Sequence, residues 1–388
     1  MASTESNYTK FKDITSKYYD KFKGAVGKIK VADNSSTIII IAIVVIIIIV
    51  VIWWIVNKLT LNNSNCSRIE KLYNSFPLIH SINVGNKQFE HNLRDYYIKT
   101  AYNCCSAGST KNDYVNICAL KNCIKQGVRC LDFEIYSVDN SPVISVSSQN
   151  SFDIKETYNT VSFANAMSII SDYAFSGSTC PNPDDPLIIH LRIMSNNKPI
   201  YDIMANTLYN TLSRCLLGKE FSYENNGKNI GTTPLKDLMG KVIIIIDKTN
   251  PLFSETLLDE YVNIASNSVF MRALRFHDVK FTQDMEELKE FNKKNMSIVM
   301  PDLSSKVNNP STTLSLNYGC QMVAVSLQSF DSSLEYYNNM FDTAGSAFVL
   351  KPPELRFIPV TIPEPPPQNP ALSYAPREIK SDYYAFTV

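Results

Sequence analysis

With 388 residues, 45% of them hydrophobic and 11% aromatic, the chain can bury a sizeable core in one large domain or two ordinary ones. Its 37 basic and 37 acidic side chains cancel, which removes the concentrated basic surface that nucleic-acid binding needs and excludes that class of partner. The scarcity of glycine, 12 in all, and the wealth of Ile, Asn, Lys and Tyr reflect AT-rich coding and speak to origin, not mechanism.

Residues 1–36 form a polar leader in which Phe11, Ile14, Tyr18, Phe22, Val26 and Ile29 recur at steps of three and four among lysines. That spacing predicts a basic amphipathic helix, either lying on an anionic membrane face or packed as a solvated helix. Residues 37–57 contain an unbroken apolar run from Ile38 to Val56. At about 1.5 Å per residue such a run spans about 28 Å, the thickness of a bilayer's hydrocarbon layer, so it is expected to be a transmembrane helix. Trp53 and Trp54 close it at headgroup level, and Lys58 follows where an amine would snorkel. A leader of this length is too long for the n-region of a signal peptide.

Lys17, Lys21, Lys23, Lys28 and Lys30 precede the span, against Lys58, Arg68 and Lys71 after it. The excess predicts a single-pass protein with a cytoplasmic N-terminus and its C-terminal bulk lumenal or exterior. Residues 58–77 read as a polar tether. Sequons at Asn62, Asn65 and Asn295 make these asparagines glycosylation candidates on that side.

From residue 78 to 357 short apolar runs such as GVRCLDFEIYS, PLIIHLRIMS, KVIIIIDK and CQMVAVSLQ alternate with amphipathic stretches. This is the pattern of a parallel sheet with crossover helices, and its length suits an α/β TIM-type (β/α)8 barrel. In the first of these runs Asp132 and Glu134 are two residues apart and share a face of their strand. Residues 358–388 form a Pro-rich tail, either disordered or an extended arm for a protein partner. The nine cysteines contain no C-x-x-C pair and the chain has four histidines, so no zinc template is matched. Disulfides are expected if the domain faces an oxidising space, and the odd count leaves a thiol over.

The stretch NYGCQMVAVSLQSFDSSLEYYNNMFDTAGSAFVLKP resembles the Y box of eukaryotic phosphoinositide-specific phospholipase C. ELKEFNKKNMSIVMP is similar to the helix and strand before it, GVRCLDFEIYS to the X-box strand with two acids, and PLKDLMGKVIIIIDK to the end of that box. The resemblance covers about 280 residues in the family's order and implies a barrel whose chemistry lies at the C-terminal ends of its strands.

It also implies two catalytic histidines, one stabilising charge and one protonating the leaving alcohol. Their positions fall at Tyr102 and at Val146 or its neighbour Ser147, so no catalytic pair is expected. Of the calcium ligands the family implies, Asn103, Asp132 and Glu134 remain as a remnant set, and the fourth position is Arg192, which cannot ligate a cation. The positions for basic phosphate contacts are Ile245, Asp247 and Ile298, with Lys248 alone close by. Arg192 is expected to cross the barrel mouth and pair with the two acids. His190, on the strand of Arg192, is expected to be a satisfied core histidine, and His80, His91 and His277 lie away from the mouth.

The resulting expectation is a membrane-anchored phospholipase-C-like pseudoenzyme, needing no cofactor, that binds a partner or serves as a structural membrane protein. One alternative is an active phosphatidylinositol phosphodiesterase using calcium. Another is a lipid-headgroup binder without turnover. The coding bias, the anchor and the degenerate domain together suit a protein of a large DNA virus, in its virion membrane, or of a protist.

Overall fold

Leu187–Ile193 and Val242–Asp247 are apolar at nearly every position, the composition of strands covered on both faces. In the computed structural model they form β5 and β6 of a parallel barrel. The structure describes residues 16, 20, 21, 23, 24, 35–222, 229–359, 363–367, 369, 372 and 374–388. The apolar positions of the expected leader helix lie outside them.

Eight strands build the barrel wall. They are β1 (Tyr96–Ala101), β2 (Cys130–Val138), β5, β6, β7 (Ile264–Ser266), β8 (Met271–Arg275), β9 (Met296–Met300) and β10 (Met322–Val325). Their order around the wall is β7-β6-β5-β2-β1-β10-β9-β8, with parallel neighbours throughout. β7 and β8 close the circle without a hydrogen-bonded ladder, leaving a seam where Asn267 accepts from the Ala273 N–H and donates to Asp247. Short antiparallel strands decorate the wall: β3 (Ser141–Ser145) pairs with β2 and with β4 (Val161–Ser162), and β11 (Phe348–Leu350) pairs with β1.

The crossover helices carry their own start signals. Ile117–Lys125 (α2) is capped by the Asn116 side chain on the Cys118 N–H, and Ser332–Ala344 (α8) by Asp331 on Leu334. Between them lie α3 (Phe163–Tyr173), α4 (Pro199–Leu212), α5 (Phe276–Lys280), α6 (Met285–Lys294) and α7 (Thr312–Asn317).

Ahead of the barrel, Ser35–Leu72 is one helix of 38 residues, α1. It holds the single candidate span among the described residues, and the side chains of its apolar run, from Ile38 to Trp54, are solvent-facing in the isolated chain. The tether expected over 58–77 is therefore wrong for most of its length. Its polar composition hides a face made by Leu61, Asn65 and Ile69 at steps of four, with no proline or glycine before Pro77, and Asn65, Ile69 and the following Tyr73 are buried against the barrel. A disulfide between Cys66 and Cys118 staples α1 to α2. The sequon asparagine Asn65 is 4% exposed and donates to Asp113 Oδ1 at 2.7 Å, so no glycan fits there. Asn62 and Asn295 are half-buried and each accepts a hydrogen bond, from Asn116 and Asn229.

The tail is not wholly extended. Glu378–Lys380 (β12) and Ala385–Thr387 (β13) form an exposed antiparallel hairpin.

A guanidinium-filled candidate site at the barrel mouth

Alternation along β2 turns Asp132 and Glu134 to the barrel interior, and the register of β5 sets His190 beside Asp132 and Arg192 beside Glu134. β1 delivers the third participant. Beyond its end, Asn103 adopts a left-handed backbone with φ 46°, a conformation asparagine tolerates better than most residues. Its N–H donates to Asp132 Oδ2 at 3.1 Å.

Arg192 occupies the centre of this cluster. Its Nε donates to Asp132 Oδ1 at 3.0 Å, and its Nη2 to Asp132 Oδ2 at 2.9 Å and to Asn103 Oδ1 at 2.6 Å. Nη1 lies 3.4 Å from Glu134 Oε2, an ion-pair contact, while Glu134 Oε1 accepts the Tyr136 hydroxyl at 2.7 Å. The planar fork suits two-point binding of a carboxylate. Arg192, Asp132 and Glu134 are all buried.

Burial alone would raise the Asp132 carboxyl, but the Arg192 charge and the hydrogen bonds from His190 and Arg192 outweigh it and hold it well below the usual carboxylate range. Glu134 goes the other way. Its burial is only partly offset by Arg192 and Tyr136, and it is raised. Burial also opposes the charge on Arg192, yet Asp132, Tyr102 and Glu134 keep its guanidinium more firmly protonated than in water.

His190 is saturated. Nδ1 bonds Asp132 Oδ1 at 2.8 Å, and Nε2 shares a 3.1 Å hydrogen bond with the Ser266 hydroxyl on β7. It is fully buried and presents no free nitrogen to the mouth.

Tyr102, which the resemblance sets at the first histidine position, is buried with its ring centroid 5.0 Å from the Arg192 guanidinium carbon. Its hydroxyl accepts from Arg275 Nη1 at 3.1 Å, and the same nitrogen donates to the Pro301 carbonyl at 2.9 Å. At the second position Val146 points into the hydrophobic core, and Ser147 instead lines a mouth cavity of about 260 Å³ with Tyr102. The two residues were expected alternatives for one position, and the alternation of extended chain sets them on opposite faces.

A second cavity, of about 220 Å³, has Arg192, Arg275, Asp247 and Asn250 in its wall. Lys248 is exposed just past β6 and does not appear in that wall. Ile245 and Ile298 are core residues. Arg275, which the sequence reading missed, had one signal: it is a cation at the C-terminal end of a barrel strand.

The oxygens that would hold a divalent cation do not fit one here. Both oxygens of Asp132 and the Asn103 amide oxygen are turned onto the Arg192 fork, and a guanidinium excludes a cation from the space it fills. Among the described residues no group of three or more His, Cys, Asp or Glu is arranged to hold a metal ion. The site offers fixed positive charge and hydrogen-bond donors, with no acid and base flanking a common reaction point.

Two domain descriptions match the chain: the X domain of phosphatidylinositol-specific phospholipase C over residues 89–248 and its Y domain over 259–354. Among solved structures, PLC21 of L. pealei is similar at 19% identity and a TM-score of 0.58, and PLC21 of S. officinalis at 18% and 0.59. Each comparison covers 72% of this chain and 39% of the other, so the likeness spans about two fifths of those proteins and is one of fold. No curated protein sequence matches the chain.

Proposed function

The chain belongs to the phosphatidylinositol-specific phospholipase C family, carrying both its X and Y domains, and on that premise we propose that it is a membrane-anchored pseudoenzyme that binds without cleaving. The observation that carries this reading is the Arg192 fork on Asp132 and Asn103. It occupies the place a catalytic cation would need, and it is bonded on three sides. Tyr102 and Ser147 stand where the acid and base would act, and His190 has both nitrogens engaged. Losing one acid–base group commonly slows such reactions by about 10²- to 10⁴-fold. Here the pair and the metal position are altered together.

Anchoring follows in the same reading from the 19-residue apolar run of α1, whose side chains have no protein cover. The lysine-rich leader favours a cytoplasmic N-terminus, and the Cys66–Cys118 disulfide suits a barrel on the oxidising side.

The test is hydrolysis of phosphatidylinositol and its bisphosphate by the full chain in lipid nanodiscs, with calcium and with chelator. No turnover in either condition is expected. Calcium-dependent turnover that survives repurification would establish the active alternative. The specific feature that favours a second reading, headgroup binding without turnover, is the pair of guanidiniums, Arg192 and Arg275, in one cavity wall.

A further inference from the structure

The membrane helix does not end before the barrel begins, and its contacts fix which end of the barrel faces the bilayer. α2 runs from the mouth, where Asn116 caps it just beyond β1, to the base at Lys125. α1 lies alongside in the same direction. Asn62 accepts from Asn116 at 3.0 Å, Cys66 is bonded to Cys118, and below the helix the carbonyls of Asn74 and Ser75 accept from Lys125 and Gln126. Followed backwards, toward its apolar run, α1 therefore leaves the barrel at the mouth.

The last contact before it leaves is aromatic. Lys58 Nζ sits 4.1 Å from the Trp54 ring centroid and 4.3 Å from that of Tyr158, and the Lys58 carbonyl accepts from the Tyr114 hydroxyl at 3.4 Å. Tyr158 belongs to the segment between β3 and β4, residues 146–160, which also exposes Phe152 and Ile154. Trp54 and Lys58 are one helical turn apart, about 6 Å along the axis. Tryptophan at the end of a span marks the headgroup layer. The segment is consequently level with the edge of that layer, with Phe152 and Ile154 exposed there and Tyr158 packed on Lys58 and Tyr114.

We propose that α1 is a rigid strut that holds the barrel mouth-down on the one bilayer it spans, so that the mouth is confined to the leaflet beside the span. The inference rests on the reading of α1 as a span and adds to it the rigidity and the direction. A flexible tether would leave the barrel free to turn. An unbroken helix bonded to α2 at several points does not. The cavity walled by Arg192 and Arg275 then opens onto the lipids of the protein's own membrane, and it meets no other membrane.

The experiment uses the full chain in phosphatidylcholine nanodiscs. Six of the seven free cysteines are buried and Cys215 is half-buried, so Cys215→Ser leaves an introduced thiol as the accessible one. An environment-sensitive fluorophore is attached at Ile154→Cys and, separately, at Ser178→Cys, an exposed site between α3 and β5 at the base. If the Ile154 variant is not recovered folded, Phe152→Cys replaces it. Nitroxide-labelled lipid is expected to quench the mouth label several-fold more than the base label. Inserting a flexible Gly-Ser segment after Leu59 is expected to abolish that difference. Equal quenching at both sites overturns the orientation. Unchanged mouth quenching after the insertion overturns the strut. Failure of the chain to co-elute with the discs overturns the span itself, a result distinct from the other two.

Discussion

Replacing Arg192 by methionine tests whether the guanidinium is the counter-ion that the cluster is built around. The substitution keeps most of the volume and removes three hydrogen bonds and one ion-pair contact. Asp132 retains the Asn103 N–H and His190, half of its four donors, and Glu134 retains only Tyr136. Removing one partner of a buried ion pair typically costs about 3–5 kcal/mol, because the remaining charge stays desolvated. At about 2 °C per kcal/mol for a domain of this size, thermal melting of the full chain in detergent is expected to fall by roughly 6–10 °C near pH 7.

The sign of the pH dependence is fixed by the direction of the Asp132 shift. In the native protein its carboxyl is depressed, so its contribution is complete above the unfolded value of about 3.9 and is lost as the pH falls through the lower folded value. Without Arg192, burial dominates and Asp132 is raised above its unfolded value, so its cost is full at neutral pH and disappears in acid. The gap between variant and native protein must therefore close on acidification. Calcium should leave the native melting temperature unchanged. Stabilisation of the native protein by calcium, or a loss below about 1 kcal/mol in the variant, would refute the assignment of Arg192.

Three further outcomes can be measured. Non-reducing peptide mapping should find Cys66 linked to Cys118, and Cys118→Ser should cost about 4 kcal/mol by the chain-entropy relation for a separation of 52 residues. Mass spectrometry of protein made in a glycosylating host should find Asn65 unmodified, and Asn65→Ala should destabilise by about 1.5–3 kcal/mol through loss of its hydrogen bond to the Asp113 carboxylate, which keeps the Ser109 and Tyr114 N–H donors. Burial lowers the Lys351 ammonium to about 7, so the unfolded chain binds the extra proton above that pH and stability should rise between pH 7 and 9; Lys351→Met should flatten that rise.

The barrel was legible because its strands are long apolar runs with punctuated ends, and strands buried on both faces need little else to be recognised. The approach of Arg192 to Asp132 and Glu134 was legible for a related reason, since all three lie on runs of fixed alternation. What failed depended on spacing of a finer kind. Val146 and Ser147 stayed as alternatives, because only the built strand shows which of two neighbours in extended chain faces the mouth. Residues 58–72 read as a tether because the two buried positions, Asn65 and Ile69, barely alter a polar composition, yet with Tyr73 they suffice to dock a helix. Arg275 and the partner of Cys66 were invisible locally, as each depends on chain brought from far along the sequence.

The unladdered seam between β7 and β8 divides the wall unequally from its opposite side. β1 is gripped by β10 on one flank and by β11 and then β2 on the other, so the two halves of the chain meet in one continuous hydrogen-bonded spine and one unzipped edge. Such a wall behaves as a clamshell. It can flex open along the edge while the spine keeps its register, and the β6–β7 connection, with Phe253 and Leu258 buried, moves with one half and does not cross the edge.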